Sequence, residues 1–490
     1  AWVNDLYQYP YGCIEQTTRK AWPYVWLDPA QSEALCLAQV HAATRAANLA
    51  FAVDRVASMQ LDNGHFAYWP GDGYSDPLLT PYVVEFLQEA REAGATVSAS
   101  VLDKALNRIK EDLLAGGEVA WDRVWGEPAS HVRLSFNAHA GMVLARINQA
   151  PLGSLRNLYD QQRDDARGPL ALMRLAVALK LSGDTTRAEA AAALALGDKW
   201  ERAEGFWGDY YTSLGDRAMS LALAIEHQLL GATQQDKIME VAEAASAARW
   251  ISTHDQLALV RLARAAAKGS SGSLQGALVV GGIEEGFSTG GWFSRDLVIE
   301  DLRAGASLRV DNSTPYYLVI DSVGVPLRAP AAESSGLRIE RRWFRHNGEA
   351  YAGDTLAEGE GLVVHLRLQS EERLLDTLVI DALPGGLEIE NLNLIDAKQL
   401  AEMVIDGTNL DDWRSYGTQV RHQEYREDRY VAALSLEAGS TVDLYYLVRA
   451  VSPGEYEVPP PFAEDMYRPQ YRAVGARNVE RLRVVAPGAR

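Results

Sequence analysis

The stretch Tyr9-Pro10-Tyr11-Gly12-Cys13-Ile14-Glu15-Gln16-Thr17-Thr18 places a thiol and a carboxamide three residues apart near the start of the chain. On a helix, Cys13 and Gln16 face each other across one turn, and unpaired backbone N–H groups at a helix start favour a thiolate. The Cys13 thiolate can attack the Gln16 carbonyl and expel ammonia, which leaves an internal thioester. Such a bond acylates an amine or hydroxyl that reaches its carbonyl, and it survives only under an apolar cover that excludes water.

The composition bounds what surrounds this stretch. The chain has 490 residues, of which 47% are apolar and 23% charged, so two to four globular domains are expected. The net charge of −19 at pH 7 argues against nucleic acid and anionic membrane surfaces as partners.

We expect neither a metal nor a cofactor. Two cysteines do not make a disulfide scaffold, and we expect Cys36 to be a buried helix residue. The chain opens with Ala1 and carries no signal peptide, so a fragment of a longer protein is expected.

Residues 1–268 are rich in Ala and Leu and carry helical spacing, as in the segments 218–225 and 257–266. Turns with aromatic or Gly residues precede these helices, and Thr80, Ser213, Ser252 and Thr253 lie where N-caps belong. The pattern repeats about every 40 residues and therefore predicts stacked helical hairpins. Periodicity leaves open whether the stack is an open solenoid or a closed α/α toroid.

Residues 275–490 instead alternate apolar and polar side chains, which predicts an α-then-β multidomain chain with antiparallel β-sandwich structure. The clearest stripe is Leu362, Val364, Leu366 and Leu368, with Val363, His365, Arg367 and Gln369 between them, and it predicts a half-buried strand. Residues 268–273 read as a flexible linker. We expect strands at 307–310 and 316–320 in a partial β domain over 275–330, and a sandwich of about seven strands over 336–490.

The segment Gly12–Gln16 resembles the Gly-Cys-x-Glu-Gln thioester signature of the α2-macroglobulin and complement family, and Tyr9–Thr18 is similar to its bacterial branch. Near the other end, Asp381–Glu388 and Glu464–Pro469 resemble its last macroglobulin-like domain. The resemblance implies an α/α toroid of helical hairpins as the thioester domain over 1–268. It further implies the second half of a CUB-like unit over 275–330 and a C-terminal macroglobulin-like β-sandwich over 336–490.

The same resemblance implies which residues carry the chemistry. The thioester would join Cys13 to Gln16, and an apolar shelter would come from Tyr9, Tyr11, Met466 and Tyr467. Ordinary packing accounts equally well for these four side chains.

Two further residues near the chemistry keep a second interpretation. Glu15 would orient or polarise Gln16, although a carboxylate also suits the first turn of a helix. His131 is a candidate for acyl transfer, although its flanking residues do not match the family's histidine motif. His139, on an Ala/Leu helix, fits a core or face residue better.

The implied function is covalent trapping of proteases by a single-turnover inhibitor that is not an enzyme. The resemblance also implies the periplasm or cell envelope, a monomer, and in the full-length protein an N-terminal lipid anchor outside this chain. Two alternatives stay open. A cysteine-nucleophile enzyme would need a histidine paired with Cys13. A non-reactive binding module of the cell envelope would use an aromatic concave face, for which hairpin packing is the plainer account; its candidate residues are Trp69, Trp121, Trp125 and Trp207.

Overall fold

Helices occupy the first part of the chain and antiparallel strands the rest, as a computed structural model shows. The structure describes residues 12–27, 42–71, 73, 75, 78–118, 129–197, 200, 212–231, 234–248, 250–267, 273–290, 293–311, 324, 329–390, 402–416 and 420–486. The predictions for Cys36, Trp121, Trp125, Trp207, the strand at 316–320 and nearly all of the linker fall outside these residues. The chain divides into two units, Ala1–Ser322 and Val323–Arg490.

The helices of the first unit are mostly three to five turns long, which suits hairpin stacking. Their bounds are α1 (Ile14–Trp26), α2 (Ala42–Ser58), α3 (Leu79–Glu92), α4 (Ala99–Leu114), α5 (Ala129–Ala145), α6 (Leu152–Asn157), α7 (Pro169–Leu181), α8 (Thr185–Ala195), α9 (Ser213–Glu226), α10 (Gln234–Ala247) and α11 (Thr253–Ala267). A π-helical turn, Leu158–Gln162, and a 3₁₀ turn, Arg163–Asp165, follow α6. Within the described residues, no helix combines the length and apolarity needed to cross a bilayer.

Side-chain caps fix where these helices begin, but not always at the predicted residue. The hydroxyl of Thr212, one residue before the predicted Ser213, accepts from the backbone N–H groups of Leu214 and Gly215 at the start of α9. The Thr80 prediction is wrong, because Thr80 lies inside the first turn of α3 and its Oγ1 lies 2.9 Å from His65 Nδ1.

A buried polar cluster joins helices that are far apart in sequence. Arg261 of α11 contacts Glu85 of α3 at 2.7 Å and Glu226 of α9 at 2.9 Å, and Glu85 Oε2 lies 2.8 Å from His139 Nε2 of α5. Burial alone would raise the pKa of Glu85, but the charge of Arg261 and the His139 contact hold that pKa well below its usual range. Burial lowers the pKa of His139 to about 4, so this ring is a neutral core residue at pH 7.

The first unit ends in a small sheet. Strand β1 (Leu274–Val280) pairs on both sides with antiparallel neighbours, β2 (Ile283–Thr289) and β3 (Ala306–Val310), and a short helix α12 (Ile299–Arg303) precedes β3. The strand predicted at 307–310 is therefore confirmed. The domain boundary predicted near residue 330 stays a prediction.

The second unit is a sandwich of a five-stranded and a six-stranded sheet, with orders β10-β15-β8-β5-β6 and β13-β14-β9-β17-β18-β4. Two smaller sheets, β16-β19-β7 and β11-β12, complete it. The strands are β4 (Glu333–Ser335), β5 (Leu337–Phe344), β6 (Ala350–Tyr351), β7 (Thr355–Ala357), β8 (Gly361–Ser370), β9 (Leu374–Ala382), β10 (Leu387–Glu390), β11 (Val404–Ile405), β12 (Thr408–Asn409), β13 (Val420–Tyr425), β14 (Arg429–Leu436), β15 (Thr441–Ala450), β16 (Gly454–Glu457), β17 (Phe462–Asp465), β18 (Arg472–Val474) and β19 (Arg481–Val485).

Strand β8 carries the apolar stripe that the sequence indicated, and its four residues lie in the core between the sheets. The half-buried prediction is wrong for the first part of the strand, because Val363 and His365 on the opposite face are buried as well. A second apolar cluster covers that face, where the His365 ring stacks on Tyr445 at 4.6 Å. Helix α13 (Leu410–Tyr416) contributes Trp413, whose indole N–H donates to the Asp443 carbonyl at 2.8 Å.

One buried ion pair crosses the sandwich core. Arg341 of β5 donates to Asp381 of β9 at 2.5 Å, to the Asn478 side chain at 2.7 Å and to the Pro459 carbonyl at 2.8 Å. The Tyr446 hydroxyl donates to the second Asp381 oxygen at 2.7 Å. Every polar partner is thus satisfied, which is the condition under which a buried pair is tolerated.

We expect Arg341→Met to destabilise the second unit by about 3–5 kcal/mol, because it leaves the buried Asp381 carboxylate without its cation. Burial already raises the pKa of Asp381, so the loss should be largest near pH 7–8 and smaller near pH 4, where the carboxyl is protonated more readily. Calorimetric unfolding at both pH values measures this. The exposed Arg481, which pairs with Glu457 at 3.0 Å, supplies the control: Arg481→Met should not shift the transition, and an equal shift in both variants would contradict the assignment.

Candidate thioester site

Both residues of the signature that would form the thioester lie at the start of α1. Cys13 is the N-cap residue, and its Sγ accepts from the backbone N–H of Gln16 at 3.3 Å. Cys13 is fully buried, and Glu15 and Gln16 are each 1% exposed. The helical placement predicted for this segment is confirmed, so both side chains lie on one face within one turn.

Two contacts from α2 and the segment after it hold this helix start in place. The Ile14 N–H donates to the Tyr68 carbonyl at 3.0 Å, and Arg55 donates to the Gly12 carbonyl at 2.9 Å. A Cβ atom at Gly12 would displace the Arg55 guanidinium, which is a physical reason for glycine before the cysteine. The Tyr68 side chain also hydrogen-bonds Cys13.

The segment that supplies Tyr68 is itself braced from within the unit. His65 bridges Thr80 of α3, at 2.9 Å from Nδ1, and Asp112 of α4, at 3.1 Å from Nε2. Phe66, Tyr68 and Trp69 are all buried. Trp69 is therefore packed between elements and does not line an open binding face.

Burial reverses the expected behaviour of the Cys13 thiol. Burial and the charge of Glu15 raise the pKa of this thiol far above its usual range, and the Gln16 N–H, Arg19 and Tyr68 only reduce the effect. The expectation that the helix start would favour the thiolate is therefore wrong, because desolvation outweighs one N–H group. A thioester in this site would have a poor leaving group while the site stays closed, since each pKa unit is worth about 1.4 kcal/mol.

Glu15 contacts two cationic or potentially cationic side chains through one carboxylate oxygen. Its Oε1 is 3.6 Å from Arg19 Nη1 and 3.3 Å from His254 Nε2 of α11. Burial raises the pKa of Glu15, and the charge of Arg19 opposes that rise. No sequence signal indicated His254, because 238 residues separate it from Glu15 and no short motif surrounds it.

Aromatic side chains pack beneath this cluster. The Tyr82 ring meets the His254 ring edge-on at 5.5 Å, and the Trp22 indole donates to the Tyr82 hydroxyl at 3.2 Å. Trp22 lies 4.7 Å from Trp26, whose indole donates to Glu89 at 2.8 Å. These contacts pack aromatic surface between α1, α3 and α11, next to the contact between His254 and Glu15.

The structure also describes three other predicted site residues, His131, Met466 and Tyr467. His131 is buried in α5, with Nε2 3.5 Å from Ser135 Oγ and Nδ1 accepting from the Arg167 N–H at 3.2 Å. In the second unit, Met466 and Tyr467 are buried just after β17, where Asp465 accepts from the Tyr467 N–H at 3.1 Å. The acyl-transfer role of His131 and the sheltering role of Met466 and Tyr467 stay predictions. Tyr9 and Tyr11 lie outside the described residues.

The described residues give no support to a catalytic cysteine–histidine pair. The groups that interact with Cys13 there are the Gln16 N–H, Glu15, Arg19 and Tyr68, and none is a histidine. Within the same described ranges, no group of three or more His, Cys, Asp or Glu side chains could hold a metal ion.

The chain is similar to several proteins of one family. Residues 336–470 match the model of the bacterial alpha-2-macroglobulin MG10 domain. Alpha-2-macroglobulin of Xylella fastidiosa (strain Temecula1) is 38% identical over 99% of this chain, and the aligned region is 30% of that protein. The chain therefore spans about 30% of the length of this curated relative.

Solved structures give the same likeness in three dimensions. The native Escherichia coli alpha-2-macroglobulin from domain MG7 to the C-terminus matches with a TM-score of 0.86 at 32% identity, over 99% of this chain and 74% of that one. Salmonella alpha-2-macroglobulin reacted with methylamine matches with a TM-score of 0.87 at 32% identity, over 99% of this chain and 30% of that one. Escherichia coli alpha-2-macroglobulin activated by porcine elastase matches with a TM-score of 0.50 at 32% identity, over 97% of this chain and 42% of that one.

We expect Cys13 to resist alkylation in the folded Gln16→Ala variant, in which no thioester forms and the thiol stays free. Full burial and the raised thiol pKa should make its iodoacetamide reaction at pH 8 at least about 10-fold slower than in urea. Peptide mapping of Cys13 measures both rates. Equal rates in the folded and unfolded protein would contradict the closed, desolvated site.

Proposed function

Because this chain belongs to the bacterial α2-macroglobulin family, we propose that it carries the covalent trap of a protease inhibitor, an internal thioester between Cys13 and Gln16. The observation that carries the proposal is the burial of both side chains on one face of the first turn of α1. Cys13 Sγ attacks the Gln16 carboxamide carbon, the C–S bond forms, and ammonia leaves with the thiol proton.

The trap is used once. A lysine amine of the protease attacks the thioester carbonyl, a C–N bond forms, the C–S bond breaks, and the proton lost by nitrogen ends on the Cys13 sulfur. The product is an amide between the protease and residue 16, and no step restores the thioester. The chain is therefore an inhibitor element and not an enzyme.

Protease activation and amine reactivity have parallels among the relatives. The Escherichia coli relative has a form activated by porcine elastase, and the Salmonella relative a form reacted with methylamine. For this chain, proteases are the proposed covalent targets, reached after a cut elsewhere in the full-length protein opens the shelter. The proposed shelter residues are Tyr9, Tyr11, Met466 and Tyr467.

The family likeness also supports proposals about the domain architecture and the cellular location of the protein. Residues 1–268 would form the thioester domain as a closed α/α toroid, 275–330 the second half of a CUB-like unit, and 336–490 the macroglobulin-like sandwich. A monomer in the periplasm or cell envelope, held by a lipid outside this chain, would meet proteases that enter from outside.

Intact mass tests the thioester directly. Freshly purified protein should be lighter by one ammonia than its sequence, and methylamine should add one molecule of amine and release one titratable thiol at Cys13. Cys13→Ser and Gln16→Ala should have full mass and no methylamine reaction, whereas Cys36→Ser should behave as wild type. Full mass together with an unconverted Gln16 in the wild-type protein would contradict the thioester.

Protease challenge tests the trap. The full-length protein treated with trypsin should give a covalent adduct that survives denaturation, and cross-linked peptides should join residue 16 to trypsin lysines. Cys13→Ser should be cleaved equally well but give no adduct, since cleavage does not need the thioester. Adduct formation in that variant would point to another linkage.

A further inference from the structure

His254 is a buried histidine to which the proposed trapping reaction assigns no role. It lies in the first turn of α11, is 2% exposed, and presents Nε2 to Glu15 Oε1 at 3.3 Å. The edge of the Tyr82 ring limits its movement from another side. A long segment of chain is thus folded back so that one imidazole reaches the carboxylate between Cys13 and Gln16.

The thioester chemistry needs a group that moves protons. The thiol pKa in this site is far above its usual range, so departure of a bare thiolate is unfavourable. The attacking amine must lose a proton and the departing sulfur must gain one. Glu15 is the buried carboxylate of this turn, next to Gln16 and two residues from Cys13, and a carboxylate is a group that can accept a proton from nitrogen and donate it to sulfur.

We propose that His254 is a positioning residue for the Cys13–Gln16 thioester, which holds the Glu15 carboxylate in the orientation that carries a proton between the amine nitrogen and the departing sulfur. The inference deepens the proposed function and rests on it. In the balanced step, the C–N bond forms, the C–S bond breaks, and the proton passes through Glu15 with none gained or lost overall.

Among the described residues, the carboxylate that His254 contacts is that of Glu15. Arg19 of α1 approaches the same Glu15 oxygen at 3.6 Å, so one carboxylate oxygen contacts both side chains. Asp255, next to His254, is directed elsewhere: its carboxylate accepts from the Thr212 hydroxyl at 2.8 Å and from the Thr212 N–H at 3.3 Å. Tyr82 contributes an aromatic ring in a T-shaped contact with the His254 ring.

The test compares His254→Gln, which keeps an N–H donor for Glu15, with His254→Phe, which keeps a ring but no donor. The readouts, in the full-length protein, are the fraction carrying the thioester by intact mass and the rate of methylamine incorporation from pH 6 to 9. The Phe variant should react about 10-fold or more slowly. The Gln variant should recover most of that rate, with an altered pH profile because the imidazole is gone.

A matched control is His139→Gln. His139 is another buried histidine, and it lies 2.8 Å from a buried carboxylate, that of Glu85. Its variant should form the thioester and react with methylamine as the wild type does, which separates positioning of Glu15 from loss of any buried His–Glu pair.

A double variant tests the route through Glu15. If His254 acts by holding that carboxylate, His254→Phe should add almost nothing in a Glu15→Gln background. If His254→Phe prevents formation of the thioester, the variants are compared by the fraction of protein that carries the thioester. His254→Gln should restore that fraction. Equal rates in Phe and wild type, or equal losses in Gln and Phe, would overturn the inference. Absence of a thioester in the wild type would instead overturn the proposed function.

Discussion

Exclusion of water from the first turn of α1 is the constraint on which the rest of the helical unit depends. Cys13, Glu15, Gln16 and Arg19 are each at most 1% exposed, although two of the four are ionisable to full charges at pH 7. Burying such groups is costly unless each finds a partner. Glu15 contacts Arg19 on its own helix and His254 on α11. The return of α11 to α1 is thus a condition for the site as well as a feature of the fold.

A second buried cluster fixes the same helices from below. Trp26 connects the aromatic layer under the site to Glu89 through its indole N–H, and Arg261 lies over the Trp26 ring at 5.7 Å while it contacts Glu85 at 2.7 Å. Helices α1, α3, α9 and α11 therefore share one set of polar contacts. Since a fully paired network leaves few alternative arrangements, it holds the helix carrying the thiol and the helix carrying His254 in a fixed relation, which is what a reactive constellation needs.

The sequence predicted what is local and missed what is distant. The helix at Cys13 was predicted from the spacing of Cys13 and Gln16, and the change from helices to strands and the inward stripe of β8 from periodicity; all three appear as predicted. The opposite face of β8 was wrongly expected to be polar and exposed, because the segment that covers it, near Trp413, comes far later in the chain. His254 was missed for the same reason. The direction of the shift in the Cys13 thiol pKa was predicted wrongly, because a helix start can be recognised in a sequence, whereas desolvation depends on the whole folded structure.

The burial that would preserve a thioester also makes its chemistry harder. Keeping water out raises the pKa of the Cys13 thiol, so a bare thiolate is neither easily formed for attack on Gln16 nor easily expelled by an amine. A site of apolar residues alone would therefore store the bond but could not readily make or use it. Placing a buried carboxylate within the same turn, held by a guanidinium and an imidazole, resolves the conflict, because the sulfur can then gain or lose its proton together with the bond. The buried charges around Glu15, costly for folding, are what such a closed site requires for reactivity.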